Sequence, residues 1–309
     1  MKIVILDGKT ISDGRVDLSV FEEFGELVIY PLTSPDEVVE RIKDADIILL
    51  NKVELNESNL KYAESLKFIG LFATGYNNID TVYCAKRGIV VANAGSYSTE
   101  AVAQHTFALI LNHFNSISRY EGYVAEGGWI RSDTFSAFSY PMYELMGKTI
   151  GIIGAGAIGG EVARIAEAFR MNVITYTRKN TKEDLDNLLA TSDIITVHCP
   201  LNEQSKEMFN KNTFAKCKDG AFFVNTSRGG VVVEEDLAEA LNTGKLSGAA
   251  IDVLTSEPMR ADCKLYGAKN ITFTPHVAWA PIETRKRLIG IVAENIRSFL
   301  NGSPQNKVN

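Results

Sequence analysis

Lys148-Thr-Ile-Gly-Ile-Ile-Gly154-Ala155-Gly156-Ala157-Ile158-Gly159 is the stretch from which the rest of this chain is read. Its first half is a short run of apolar, β-branched residues, the composition of a buried strand. Its second half carries glycines at 154, 156 and 159, weak evidence alone because glycine marks any tight turn. The context strengthens it. Ile158, Val162, Ile165, Ala166 and Phe169 recur at helical spacing, so the glycines join a strand to an amphipathic helix. Gly154 then permits the tight turn, Gly156 lets a pyrophosphate approach the backbone, and Gly159 lets helix and strand pack closely. Free N–H groups at the helix start favour the phosphates. The bland alternative is an ordinary strand–helix turn; the context favours a dinucleotide cradle formed by Gly154 through Gly159, with Ala155, Ala157 and Ile158 between the glycines.

Outward from this unit, short Ile- and Val-rich runs repeat along the chain. Strands are expected at Lys2–Leu6, Leu27–Tyr30, Ile47–Asn51, Phe68–Phe72 and Val90–Ala92. A second series follows at Thr149–Ile153, Asn172–Tyr176, Ile194–His198, Phe222–Asn225, Gly248–Asp252 and Ile271–Thr274. Strands apolar on both faces and alternating with helical patterns imply parallel sheets covered on both sides. The series echo each other: Ala45–Leu50 reads ADIILL and Ser192–Val197 reads SDIITV, and Phe68 with its Gly loop is echoed by Phe222 and Arg228-Gly229-Gly230. Either two domains of similar topology or chance likeness between parallel strands would produce this. One long helix is expected over Ser98–Ser118, burying Ala101, Val102, His105, Ala108, Leu109 and Leu111. An aromatic-rich crossing segment follows it, and a second strongly periodic helix spans Ile282–Leu300.

The chain's 309 residues exceed what one hydrophobic core holds comfortably. A net charge of −6 with no basic block argues against nucleic acid or an anionic membrane as main partner. MKIVILDG runs directly into a strand, with no pattern of a signal peptide, and no apolar run reaches membrane-span length. Cys84, Cys199, Cys217 and Cys263 are scattered, without metal-ligand spacing. A cytoplasmic enzyme with no bound metal is the expectation.

There are four histidines to weigh as acids or bases. His105 and His113 fall on the long helix and read as packing or surface residues. His198, in VHCPL, and His276, in TPHVAWA, each follow a strand, and position alone leaves them level. The neighbours separate them. Arg228 follows one apolar strand, Glu257 in Asp252-Val-Leu-Thr-Ser-Glu257-Pro258 follows the next, and His276 follows the third. Three consecutive strands thus deliver Arg, Glu and His to one sheet edge. Reduction of a 2-oxo acid needs a cation for carboxylate and carbonyl, an acid that titrates near neutrality, and a carboxylate to keep that acid charged. For Arg228 or Glu257 taken singly, a surface salt bridge is the commoner explanation.

These residues bring a family with them. GKTIGIIGAGAIG, NTSRGGVVVEEDLAEAL, AAIDVLTSEP and TPHVAWAP resemble, in order, the successive signatures of the D-2-hydroxyacid dehydrogenases, and the resemblance runs from Met1 to the C-terminal ENIRSFLNG. It implies two doubly wound parallel α/β domains around a cleft: a Rossmann-type dinucleotide-binding domain (99–283) inserted into a flavodoxin-like substrate-binding domain (1–98 and 284–309). It implies that Arg228 orients the 2-oxo acid, His276 carries the proton and Glu257 pairs with His276. It places Asp252 against the nicotinamide carboxamide and Cys199, Pro200 and Thr226 in the cofactor cleft, with His198 a cofactor-side residue. Thr74, Gly75 and Tyr76, in Thr74-Gly75-Tyr76-Asn77-Asn78-Ile79-Asp80, resemble the family's substrate loop; capping by Asn78 or Asp80 is a compatible second use. That loop, with HVAWA, most resembles the glycerate dehydrogenases, also called hydroxypyruvate reductases. Hydroxypyruvate/D-glycerate or glyoxylate/glycolate are the implied acids, with 3-phosphoglycerate and D-lactate as alternatives. A dinucleotide-sensing binding protein of the same fold is the rival class. Lookalikes are homodimers.

Two residues depart from the family pattern. Members that use NAD carry an acid at the end of the second strand of the dinucleotide unit. Here Thr177 stands there, followed by Arg178 and Lys179, which favours NADP over NAD. Arg170 stands where the family has Gly before Met171, altering a helix-to-strand turn.

Overall fold

The computed structural model describes all 309 residues. The chain divides into two compact units, Met1–Ser98 with Ala280–Asn309, and Thr99–Trp279. Each is a parallel sheet with helices on its faces.

In the first unit, β1 (Lys2–Ile5), β2 (Glu26–Ile29), β3 (Ile47–Leu50), β4 (Phe68–Leu71) and β5 (Val90–Ala92) form one sheet in the order β2-β1-β3-β4-β5. That is the flavodoxin-like doubly wound order. Every residue of β3 and β4 is buried, which explains why their sequences are unbroken apolar runs and not alternating ones. The helix Ile282–Leu300 covers this sheet beside β4, where the Phe299 ring lies 5.0 Å from that of Phe68.

In the second unit, β6 (Thr149–Ile153), β7 (Asn172–Tyr176), β8 (Ile194–Val197), β9 (Ala221–Asn225), β10 (Leu246–Ile251) and β11 (Ile271–Phe273) form a six-stranded parallel sheet in the order β7-β6-β8-β9-β10-β11. The order reverses at β6, so the crevice beyond β6 and β8 is the topological switch point at which open α/β sheets take ligands. Register brings the strand ends level. Ile153 pairs with Tyr176 and Val197, Asn225 with Val197 and Ile251, and Ile251 with Phe273. The residues just beyond these ends, Thr177, Gly154, His198, Thr226, Asp252 and Thr274, therefore share one rim.

The long helix expected over Ser98–Ser118 is two helices, Thr99–Phe114 and Ile117–Ala125. They are separated at Ser116, which adopts φ +50°, a left-handed conformation that ends helical propagation. On the first helix Ala103, Thr106, Phe107 and Ile110 are buried among the residues that pack toward the helix Ala157–Ala168 and strands β9 and β10. Ala108, expected inside, is exposed with Gln104 one turn before it; that pair forms the solvent stripe. His113 is a packing residue, its ring stacked 3.9 Å from that of Phe222. Burial pushes its pKa down to about 4, so it is neutral near pH 7. Arg170 takes φ +58° after the helix Ala157–Ala168, the turn geometry that glycine adopts without strain. The arginine thus retains the turn at a steric cost. No helix of the chain is long and apolar enough to cross a membrane.

Candidate active site

The three glycines after β6 differ in what they require. Gly154 has φ +98°, and a Cβ there would stand 2.8 Å from the backbone of His198 and Cys199 after β8. Gly159 faces the carbonyl oxygen of Gly154, which a Cβ would meet at 1.9 Å. Both are demanded by the fold. Gly156 is not: it has φ −77° and ψ −158°, open to any residue, and nothing lies within 4 Å of its Cβ position. It stands as N-cap of the helix Ala157–Ala168 without a side-chain cap, with Ala155 and Ala157 exposed beside it and Ile158 half-buried. A glycine kept open where the chain does not need one, at a helix N-terminus on the switch-point rim, fits a phosphate that must approach the backbone.

At the end of β7, Thr177 donates its backbone N–H and its hydroxyl to Asn180 Oδ1, both at 2.9 Å. The hydroxyl proton is therefore engaged, and Thr177 can offer a ligand only lone pairs. Arg178 and Lys179 are exposed. Asp184, a few residues on, caps the helix Lys182–Thr191 through Thr181. The rim carries no acid at this corner.

After β8, His198 is half-buried, with its Nδ1 sealed from solvent. Its Nε2 bonds Thr196 Oγ1 at 2.9 Å, its Nδ1 has no partner, and burial pushes its pKa down to about 3. A ring held neutral in this way is a poor proton donor at physiological pH. Cys199 is half-buried, and burial raises its thiol pKa, so it remains protonated. Pro200 is exposed. The Thr226 hydroxyl is buried against Thr106 Oγ1 at 3.2 Å.

The Arg, Glu and His turns converge. Asn225 Nδ2 donates to the Arg228 carbonyl at 2.9 Å and holds the Arg228 turn. Gly229 lies so close to Leu254 and Thr255 that a Cβ would stand 1.9 Å from the Leu254 carbonyl carbon. The Arg228 guanidinium is exposed, with Nη1 donating to the Ser227 carbonyl at 2.7 Å. Glu257 Oε1 accepts the Leu254 N–H at 2.9 Å, which orients the carboxylate, and Oε2 meets His276 Nδ1 at 2.6 Å. An ionised carboxylate only accepts, so Nδ1 carries a proton. Nε2, bonded to no protein group, is the nitrogen left to exchange a proton with a ligand.

His276 itself has φ +54°, an uncommon conformation for a residue with a Cβ. Asp252 braces it. Its carbonyl accepts the His276 N–H at 2.8 Å, Oδ1 accepts the Val277 N–H at 2.9 Å, and Oδ2 accepts the Ala278 N–H at 3.1 Å. With 1% of its side chain exposed, Asp252 is turned into this loop. Thr274 and His105 complete its shell. Neither residue stood out in the sequence, because a lone histidine on a buried helix carries no local signal of a partner 169 residues away.

In the first unit, the Thr74 hydroxyl donates to the Gly95 carbonyl and its own carbonyl accepts from Asn93 Nδ2 at 2.7 Å. Asn78 Nδ2 ties the loop to the Val53 carbonyl at 2.8 Å, while Asp80 caps the helix Thr81–Lys86. Gly75 and Tyr76 sit between these anchors, with Tyr76 exposed. Asp7, at the end of β1, accepts from the N–H groups of Asn51 and Lys52 and fixes the backbone that Asn78 grips. Burial raises the Asp7 pKa above the ordinary carboxylate value.

Comparison with known proteins places this geometry. The profile of the D-isomer specific 2-hydroxyacid dehydrogenase NAD binding domain matches residues 107–278. The chain is 41% identical to a hydroxypyruvate reductase of Blautia hydrogenotrophica over an alignment that covers 100% of both sequences. It is 36% identical to a glycerate dehydrogenase of Methylorubrum extorquens, over 99% of this chain and 98% of that one. A solved D-lactate dehydrogenase from Aquifex aeolicus, complexed with NAD and lactic acid, matches with a TM-score of 0.83 at 29% identity, over 98% of this chain and 96% of that one. With its dinucleotide turn, its paired His276 and Glu257 and whole-length relatives of one chemistry, the chain belongs to the D-isomer specific 2-hydroxyacid dehydrogenases, oxidoreductases that use NAD(P) and act on 2-oxo and 2-hydroxy acids.

Proposed function

We propose that the chain reduces a small 2-oxo acid, hydroxypyruvate first and glyoxylate second, with NADPH used at least as well as NADH. The observation that carries the reading is the pairing of His276 Nδ1 with Glu257 Oε2 at 2.6 Å, which leaves Nε2 to act on a ligand. The names of the whole-length relatives support the choice of acid.

The nicotinamide, when bound, supplies or takes the hydride. The residues of the chain do the rest. Gly154 through Gly159 hold the pyrophosphate, Cys199, Pro200 and Thr226 line the cofactor side, and Arg178 meets a 2′-phosphate with its planar fork. Arg228 pairs with the substrate carboxylate and polarises the carbonyl. His276 gives its Nε2 proton to the oxygen as the alkoxide develops, and the Glu257 carboxylate stabilises the imidazolium that precedes this step. The Thr74-Gly75-Tyr76 turn serves as the substrate loop, with backbone N–H groups suited to an anion. Residues 1–98 with 284–309 act as the substrate-binding domain and 99–283 as the dinucleotide-binding domain.

We read the enzyme as a homodimer. Its second unit exposes Ile130, Phe135 and Phe138 at 89%, 91% and 87%, in a segment that also leaves Trp129, Met142, Tyr143 and Met146 open. An apolar stretch of that kind is rare on a monomer. The four cysteines are free thiols, in keeping with a reducing, cytoplasmic setting.

The test of the chemistry compares two histidines. His276→Ala should lower turnover by about two to four orders of magnitude and leave cofactor affinity intact. His198→Ala losing activity while His276→Ala keeps it would reverse the assignment.

A further inference from the structure

We infer that His105 and Thr274 are positioning residues that set the proton donor through the carboxylate of Asp252. The inference rests on the reading of His276 as that donor. Thr274 Oγ1 lies 2.5 Å from Asp252 Oδ1 and 2.9 Å from His105 Nε2. The His105 ring also stands 3.7 Å from Asp252 Oδ1.

The directions of these bonds follow from chemistry. Both oxygens of Asp252 already accept backbone N–H groups, so the single Thr274 hydroxyl proton goes to Oδ1. The Thr274 oxygen is then an acceptor toward His105, and His105 must present Nε2–H. The chain of donors runs one way, from the helix Thr99–Phe114 through Thr274 to Asp252.

What Asp252 does with that support is visible in its other bonds. The same carboxylate accepts the N–H groups of Val277 and Ala278, and its carbonyl accepts that of His276. These three consecutive N–H groups define the turn in which His276 holds φ +54°. A non-glycine residue stays in that region only where its surroundings over-determine it. The buried carboxylate is the hub of that constraint, and Thr274 with His105 fixes its rotation. If the hub turns, His276 keeps its identity but loses its aim. Misplacement of a reacting group by about 1 Å lowers rate steeply while leaving ground-state binding largely intact.

The test is steady-state kinetics on the full-length enzyme with NADPH and hydroxypyruvate. Thr274→Val removes the hydroxyl at nearly constant shape, and His105→Leu removes the ring donor. Each should lower kcat by about ten- to a hundredfold, with KM and the cofactor Kd within about threefold of wild type. Thr274→Ser and His105→Gln, which keep a donor, should restore most of the loss. The double variant Thr274→Val/His105→Leu should be no slower than the slower single, because both act through one carboxylate. In the wild-type enzyme, 15N-histidine NMR, assigned against His105→Gln, should report His105 as the Nε2–H tautomer.

Four results would overturn the inference. They are unchanged kcat in Thr274→Val and His105→Leu, failure of Ser and Gln to rescue, additive losses in the double variant, or the Nδ1–H tautomer at His105. If any of these appears while His276→Ala is inactive, the donor reading stands and the positioning role alone fails. Full activity of His276→Ala would remove both.

Discussion

Replacing Gly156 with Ala separates a glycine kept for a ligand from glycines kept for the fold. Its backbone, at φ −77° and ψ −158°, accepts a side chain, and its Cβ position meets no atom within 4 Å. The unfolded chain loses freedom on gaining a Cβ, which stabilises by about 0.4–1 kcal/mol. Alanine is a poorer N-cap than glycine by a similar amount. The two offset, and the ligand-free melting temperature should move by less than about 3 °C. Dinucleotide affinity should not survive so well. A methyl group between the backbone and the pyrophosphate weakens one or two charge-assisted hydrogen bonds, each contributing about 1.5–3 kcal/mol. A loss of about 2–4 kcal/mol raises Kd by roughly 30- to 1000-fold. Gly159→Ala provides the contrast. Its Cβ would stand 1.9 Å from the Gly154 carbonyl oxygen, so it should cost more than about 3 kcal/mol of folding stability. Differential scanning fluorimetry without ligand, together with fluorescence titration by NADPH, measures both quantities. If Gly156→Ala binds NADPH within threefold of wild type, the cradle assignment is wrong.

The cofactor preference is read from kcat/KM with NADH and NADPH. The wild type should favour NADPH or use both alike, and Thr177→Asp should shift the ratio toward NADH by placing a carboxylate where a 2′-phosphate would sit; a hundredfold wild-type preference for NADH would refute this. His113 supplies a pH prediction. Its pKa is about 4 in the fold against 6.5 when unfolded, so the unfolded chain takes up more protons as pH falls below 6.5. Stability is complete above pH 6.5 and is lost between 6.5 and 4. At pH 5 the loss is about 2 kcal/mol, and His113→Phe, which keeps the stack on Phe222, should abolish that part of the acid sensitivity. An identical decline in melting temperature between pH 7 and pH 5 for both proteins would exclude His113 as its source.

Buried parallel strands were legible because they are apolar on both faces and cannot be mistaken for half-exposed ones. Ile47–Leu50 and Ile194–Val197 are buried at every position. Their likeness has a topological counterpart, since β3 and β8 occupy equivalent places, next to the first strand of their sheets. The break at Ser116 was not legible, because Asn115-Ser116 carries neither Gly nor Pro to mark it. In the site, the Glu257 and His276 turns could be found because each follows a strand directly. What the sequence concealed were contacts between distant segments. Asn180 engages the Thr177 hydroxyl, and the inward orientation of Asp252 depends on Thr274 and on His105 from a helix in a different part of the chain.

The central claim is that this site reduces a small, anionic 2-oxo acid. Its most direct test is the oxidation of NADPH and NADH by the purified enzyme across hydroxypyruvate, glyoxylate, pyruvate and branched 2-oxo acids. The highest kcat/KM is expected for hydroxypyruvate, with glyoxylate next and a steep fall for branched acids. Branched acids exceeding hydroxypyruvate by tenfold, or no cofactor oxidation with any 2-oxo acid, would contradict it.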